Sequence, residues 1–297
     1  MKINNPNEYE NIIWIVSSPR SGSTWLFEML NYHGKYHQSF EPYHCHTKEA
    51  NLIEPGKYVR ITDNHPHLRD FFSAVFRGRI INDYHAKGCT TKAELEDPRH
   101  SSTCLIVKDI FASTCIGFVH RHFPPIKIVY LIRDPFSVVA SKLRVLELGF
   151  WDREVSHDGF IHAAIYDDVL SPFSDMINTV FEKNDVFEVQ FLLWCIQQYI
   201  ALTYHRHGKV KYHICLYEKL LSDTKKELMD IAHFVGIDSI PYEKMDDDII
   251  YKRSAMTLQK NVDSNGIARN HFSDRQIDKG FYLLDCFGLR WLCDDRA

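Results

Sequence analysis

Arg20 stands two residues before Gly22 in the run Ser18-Pro19-Arg20-Ser21-Gly22-Ser23-Thr24-Trp25, which joins one permanent cation and one glycine to several hydroxyls. Residues of these types at a helix start suit a phosphate. The first backbone N–H groups of a helix point outward without partners, and the helix dipole adds partial positive charge. Gly22 permits close backbone approach, Ser21, Ser23 and Thr24 add hydroxyls, and Arg20 adds full charge. A nucleoside-triphosphatase loop carries Lys after its glycine; here Ser23 follows Gly22, so a kinase or ATPase lacks its phosphate-bridging lysine. The plainer alternative is a Ser/Gly turn with a helix cap. A second set follows the apolar run Ile128–Ile132, where Arg133-Asp134-Pro135 opens a helical pattern containing Ser141. Eight residues is about two helical turns, so Ser141 faces back toward the helix start and can share an anion with Arg133. In the alternative, Arg133 pairs with Asp134 or another surface carboxylate and Ser141 faces solvent. Two such sets about 110 residues apart, each at a strand-to-helix junction, fit a ligand with two phosphates.

Pro19 to Leu26 resembles the 5′-phosphosulfate loop of sulfotransferases that use 3′-phosphoadenosine-5′-phosphosulfate (PAPS), in the Arg-containing form found in carbohydrate sulfotransferases. Arg133-Asp134-Pro135 with Ser141 resembles the 3′-phosphate motif of the same family, and Ile214 to Leu220, followed by a helix ending Phe234-Val235-Gly236, matches a further family pattern of structural character. The match is sharp over the two short motifs and diffuse elsewhere between residues 12 and 290. The resemblance implies a sulfotransferase fold, PAPS as donor, 3′,5′-adenosine bisphosphate (PAP) as product, and no metal. It assigns Arg20, Ser21, Gly22, Ser23, Thr24 and Trp25 to the 5′-phosphosulfate, and Arg133 and Ser141 to the 3′-phosphate.

Sulfonate transfer is an in-line displacement, requiring a base for the acceptor hydroxyl and positive charge at the leaving phosphate. Glu41, Asp109, His44 and His46 are candidate bases. Phe40-Glu41-Pro42 resembles the Glu-Pro of carbohydrate sulfotransferases, where the glutamate is the proposed base, and Glu41 is the choice; the alternative is an exposed loop glutamate. Cytosolic relatives carry Lys-Thr-His at a strand end comparable to Lys108-Asp109-Ile110. The histidine is absent here, which favours Glu41, while Lys108 either contacts the sulfonate or is an exposed strand-end lysine. His44-Cys45-His46 has no second Cys/His pair at ligand spacing, so no metal site is expected. Family members close the nucleotide site with a basic, glycine-containing loop near the C-terminus. Arg253 and Lys260, in the segment 251–269, are its counterparts, or else that segment is a solvated loop.

These residues need a frame. Asn11–Ser17 reads as a buried parallel strand, with Cys104–Lys108, Lys127–Ile132 and Lys211–Leu216 as further strands. Helical spacing follows at Ser23–His33, Pro135–Leu146, Phe187–Arg206, Asp223–Val235 and Ser273–Phe287, the last with Ser273 as N-cap and Gly288 just beyond. Strands alternating with helices predict an α/β fold, a mostly parallel sheet flanked by helices. Segments 34–60 and 149–185 have weak periodicity and read as functional loops or lids.

The 297 residues contain no linker or repeat, so one domain over 1–297 is expected. A net charge of −4 gives no basic footprint for nucleic acid. No signal-like or membrane-spanning apolar stretch is present, so the eight cysteines are expected as reduced thiols in a cytoplasmic protein. Segment 149–185 carries eight carboxylates against two bases, interleaved with Phe150, Trp151, Phe160, Tyr166 and Phe173. As an acceptor-side lid it would repel polyanionic glycans and suit a small hydroxylated natural product or sugar, a cationic alkaloid included; the alternative is a solvated acidic face. The expected partner is that small molecule, with no nucleic acid and no membrane, and with homodimer formation left open.

Overall fold

Asn11–Ser17, Cys104–Asp109 and Lys127–Ile132 each contain a short apolar run. The computed structural model, which describes residues 9–32, 36–44, 47–80, 103–149, 169–237, 240 and 267–293, makes them the centre of one sheet. They are β1, β3 and β4, and His37–Phe40 (β2) and His213–Leu216 (β5) flank them in the order β2-β3-β1-β4-β5. All four pairings are parallel, with Ile13 between Ile106 and Lys127. Parallel strands end along one edge, so Ser17, Phe40, Asp109, Ile132 and Leu216 lie on the side where open α/β sheets bind ligands.

In chain order the helices among the described residues are α1 (Ser23–Leu30), α2 (Lys48–Asn51), α3 (Pro66–Val75), α4 (Ile116–His122), α5 (Pro135–Glu147), α6 (Ser174–Lys183), α7 (Val186–Arg206), α8 (Tyr217–Ser222), α9 (Thr224–Val235) and α10 (Asp274–Cys286). Side chains alternate across a strand, and both faces of the sheet are covered. Trp14, Val16, Leu105, Val107, Ile128 and Tyr130 pack with α3, α4, α5, α7 and α10. Ile13, Ile15, Ile106, Val129 and Leu131 pack with α1 and α9. The two clusters are the two inner surfaces of a three-layer fold. α7 is apolar and long enough to cross a membrane, but its length lies buried against α5 and α10, with Phe191 and Trp194 fully enclosed.

Helix starts follow their capping residues. Asp134 accepts from Ser137 N at 2.7 Å, with Pro135 in the first turn of α5. Asp185 accepts from Glu188 N at 2.9 Å, and Ser273 forms a capping box with Gln276. Each such cap contributes about 1 kcal/mol. Most predicted elements stand within a few residues of their expected bounds. Segments 34–60 and 149–185 are more regular than their periodicity suggests, since they hold β2, α2 and α6. β2 is an edge strand of four residues, stabilised by its ladder to β3 and not by an apolar pattern.

Candidate active site

The loop after β1 turns through two left-handed residues, Arg20 at φ 70 and Gly22 at φ 89. Gly22 caps α1 without any side-chain hydrogen bond, so the first N–H groups of that helix receive no side-chain cap. A side chain here would run into the Tyr217 ring, which lies directly against the glycine. Tyr217 opens α8 straight after β5, and its ring edge also meets Trp25 at a centroid distance of 6.0 Å. Ser21 is buried with its hydroxyl bonded to Ser18 at 2.8 Å, and Ser23 is buried in the first turn of α1.

β4 delivers Arg133 beside this loop. Arg133 Nη1 donates to the Arg20 carbonyl at 3.2 Å, and its guanidinium lies 4.6 Å from the centre of the Tyr217 ring. Arg20 Nε donates to Ser141 Oγ on α5 at 2.9 Å. The two motifs read separately in the sequence are therefore cross-linked, and Ser141 is bonded to Arg20. Asp134 does not serve as the counter-ion of Arg133: its carboxylate caps α5 and its own N–H donates to Glu218 Oε1 at 2.9 Å. Burial pushes the Glu218 carboxyl up.

Two guanidinium groups side by side repel one another. Burial and the neighbouring Arg133 charge hold Arg20 below its usual value, and Glu41 only partly offsets them. Arg133 Nε is buried with no hydrogen-bond partner among the described residues. A buried donor without an acceptor costs about 1–3 kcal/mol, more for a charged group. An anion at the carboxyl ends of β1 and β4 would satisfy that donor and relieve the repulsion.

Glu41 and Lys108 lie on the other side of the loop. Lys108 is 1% exposed, not at an open strand end. Its ammonium donates to Glu41 Oε1 and to Thr24 Oγ1, the latter at 3.1 Å, and stands 4.1 Å from the Phe40 ring centre. Burial lowers its pKa and the Glu41 carboxylate pulls it back up. Glu41 holds φ 47, a left-handed conformation costing an L-residue about 1–2 kcal/mol. The Glu41 side chain is 12% exposed, so it is neither the loop glutamate of the plainer alternative nor sealed in the core.

Asp109, the next residue on β3, points to the opposite face and is fully buried. Oδ2 accepts from the Trp14 indole at 2.8 Å and Oδ1 from Tyr43 N at 2.9 Å. Burial raises its pKa to about 7 despite both bonds. His44 is buried with its ring edge toward Phe111; Cys45, His46, Arg253 and Lys260 lie outside the described residues, as does most of the acidic stretch at 150–168. The six described cysteines carry free thiols.

Thus Arg20, Thr24, Glu41, Lys108, Arg133 and Ser141 share one end of the sheet. Tyr217 and Glu218 join them without being singled out by the loop motifs. Their signal is a Tyr-Glu pair directly after a strand, in the position that Arg133-Asp134 occupies after β4.

Over residues 13–241 the sequence matches the model of a family described as the sulfotransferase family. No curated protein sequence matches significantly. Among solved structures, mouse sulfotransferase SULT7A1 complexed with PAP aligns with a TM-score of 0.50 at 15% identity, over 96% of this chain and 89% of its own. A sulfotransferase from Alicyclobacillus acidocaldarius aligns at 0.43 and 13% identity, over 92% and 95%. The sulfotransferase domain of the Synechococcus PCC 7002 olefin synthase aligns at 0.42 and 16% identity, over 97% and 98%.

Proposed function

The chain belongs to the sulfotransferase family, and from that premise we propose that it transfers the sulfonate of PAPS to the hydroxyl of a small acceptor, with Glu41 as general base. The observation that carries the donor assignment is the half-buried Arg20–Arg133 pair, in which the buried Arg133 Nε has no acceptor among the described residues. Arg20, the α1 N-terminus and Thr24 would hold the 5′-phosphosulfate, and Arg133 and Ser141 the 3′-phosphate. The mouse relative carries PAP in its structure.

PAPS supplies a sulfonate on a good leaving group. Arg20 lies where it would neutralise charge developing on that leaving phosphate, and Lys108 where it would stabilise the sulfonate oxygens. Glu41 would accept the hydroxyl proton once Lys108 shifts its hydrogen bonds toward the sulfonate. Trp25, buried and set edge-to-face with Tyr217, would back the loop from the core side. Arg253 and Lys260 are proposed to close over the nucleotide.

A neutral or cationic hydroxylated small molecule, natural product or sugar, remains the proposed acceptor class on the charge of segment 149–185. The proposed location is the cytoplasm. Turnover of heparan or chondroitin as best substrate would overturn the acceptor assignment.

The donor assignment is tested by calorimetric titration with PAP, with chelator present and ATP as comparison. PAP is expected to bind without metal, and Arg133→Ala to weaken it about 10–100-fold through loss of a charged hydrogen bond. Preference for ATP restored by magnesium would reopen a phosphotransferase reading.

A further inference from the structure

We propose that Asp109 is a positioning residue for Glu41, fixing the turn that carries the carboxylate and tying it to the strand that leads into the phosphate loop. The inference rests on the reading of Glu41 as base.

The turn Glu41-Pro42-Tyr43 has only two backbone N–H groups, because proline has none. Both go to the end of β3: Glu41 N donates to the Lys108 carbonyl at 2.7 Å, and Tyr43 N to Asp109 Oδ1 at 2.9 Å. Between these anchors Glu41 is held at φ 47, which sets its side chain against Lys108. The second Asp109 oxygen takes the Trp14 indole of β1 at 2.8 Å, three residues before that strand ends in Ser17 and passes to the Arg20 loop. One carboxylate therefore connects the strand before the phosphate loop to the turn bearing the base.

Asp109 itself is fully enclosed and both its oxygens are engaged, so it does not touch substrate. A residue needed only for volume would be apolar, since a buried carboxylate is costly unless its acceptors are used. Two N–H donors converging on one side chain require two acceptor oxygens. Asparagine offers one oxygen and would turn an NH₂ toward the other donor.

The test uses the full chain, with PAPS, water as acceptor and PAP release as readout, beside PAP affinity by calorimetry. Glu41→Gln is expected to lower PAP release about 100-fold or more. Asp109→Asn is expected to lower it about 10–100-fold, as a displaced catalytic group does, with PAP affinity held within about threefold. In the Glu41→Gln background Asp109→Asn should add nothing, because it acts through the same carboxylate. Trp14→Phe, which keeps the Tyr43 bond, serves if Asp109→Asn folds poorly, with an expected loss of about threefold to tenfold. Multiplying losses with falling PAP affinity, or a wild-type rate in Asp109→Asn or in a folded Trp14→Phe, would overturn the positioning role. An unchanged rate in Glu41→Gln would instead sink the base assignment.

Discussion

Two halves of the same sheet edge treat charge in opposite ways. At the β2–β3 end, Lys108 and Glu41 neutralise one another, Thr24 takes a further ammonium hydrogen, and Asp109 spends both oxygens. At the β1–β4 end, Arg20 and Arg133 stand together as like charges with one buried N–H lacking an acceptor. In the first half the charges are matched among the described residues; in the second Arg133 Nε is left without an acceptor among them, which the proposed donor would supply. Under the proposed function, the matched half would take up a proton at a fixed place and the other half would capture the charged donor.

The sharpest way to break this contrast is to remove one cation from each half and compare stability without nucleotide. Lys108→Met should cost about 2–4 kcal/mol, since it strands the Glu41 carboxylate in a largely dry site. Asp109 gives a second, pH-dependent effect. Its folded pKa of about 7 lies above the unfolded value of 3.8. The stability it contributes is therefore fully present below about pH 4 and is lost as pH rises through 7, on the order of a few kcal/mol at most. Around it, Glu41 opposes ionisation and Lys108 favours it, while the Tyr43 hydroxyl and Cys115 thiol are pushed up by burial and stay neutral. Chemical denaturation from pH 4 to 8 should show this slope, and Asp109→Asn should flatten it. The smallest effect is expected for Arg133→Met, within about 1 kcal/mol of wild type or slightly stabilising, because a repelling charge goes with it. Equal destabilisation by Arg133→Met and Lys108→Met would erase the distinction between the two halves.

The chemistry-bearing loops were legible because each sits where an apolar run rich in β-branched residues stops: Ile12 to Val16 before the Arg20 loop, Ile128 to Ile132 before Arg133. The capping residues Asp223 and Ser273 mark helix starts in the same local way. α3 was not among the expected helices, although Leu68, Phe71, Phe72 and Val75 stand at helical spacing behind Pro66. β2 carries no such signal: His37, Gln38 and Ser39 have no strand pattern, and only pairing with β3 makes them one. The partnerships within the site were least legible. Arg20 meets Ser141 across 121 residues, and Tyr217 reaches Gly22 only because β5 lies beside β4, which lies beside β1. Local sequence assigns a residue its chemistry, but tertiary adjacency decides whom it serves.

In the proposed donor site, the bond from Arg133 to the Arg20 carbonyl would have a consequence for which nucleotide is retained. It would fix the spacing of the two proposed anion sites, so that a molecule with two phosphates would bind as a chelate. Once one end is seated, the other meets its site at an effective concentration of about millimolar or higher. A monophosphate has no such second chance. Under that assignment, discrimination against abundant single-ended adenine nucleotides would follow from one interloop hydrogen bond.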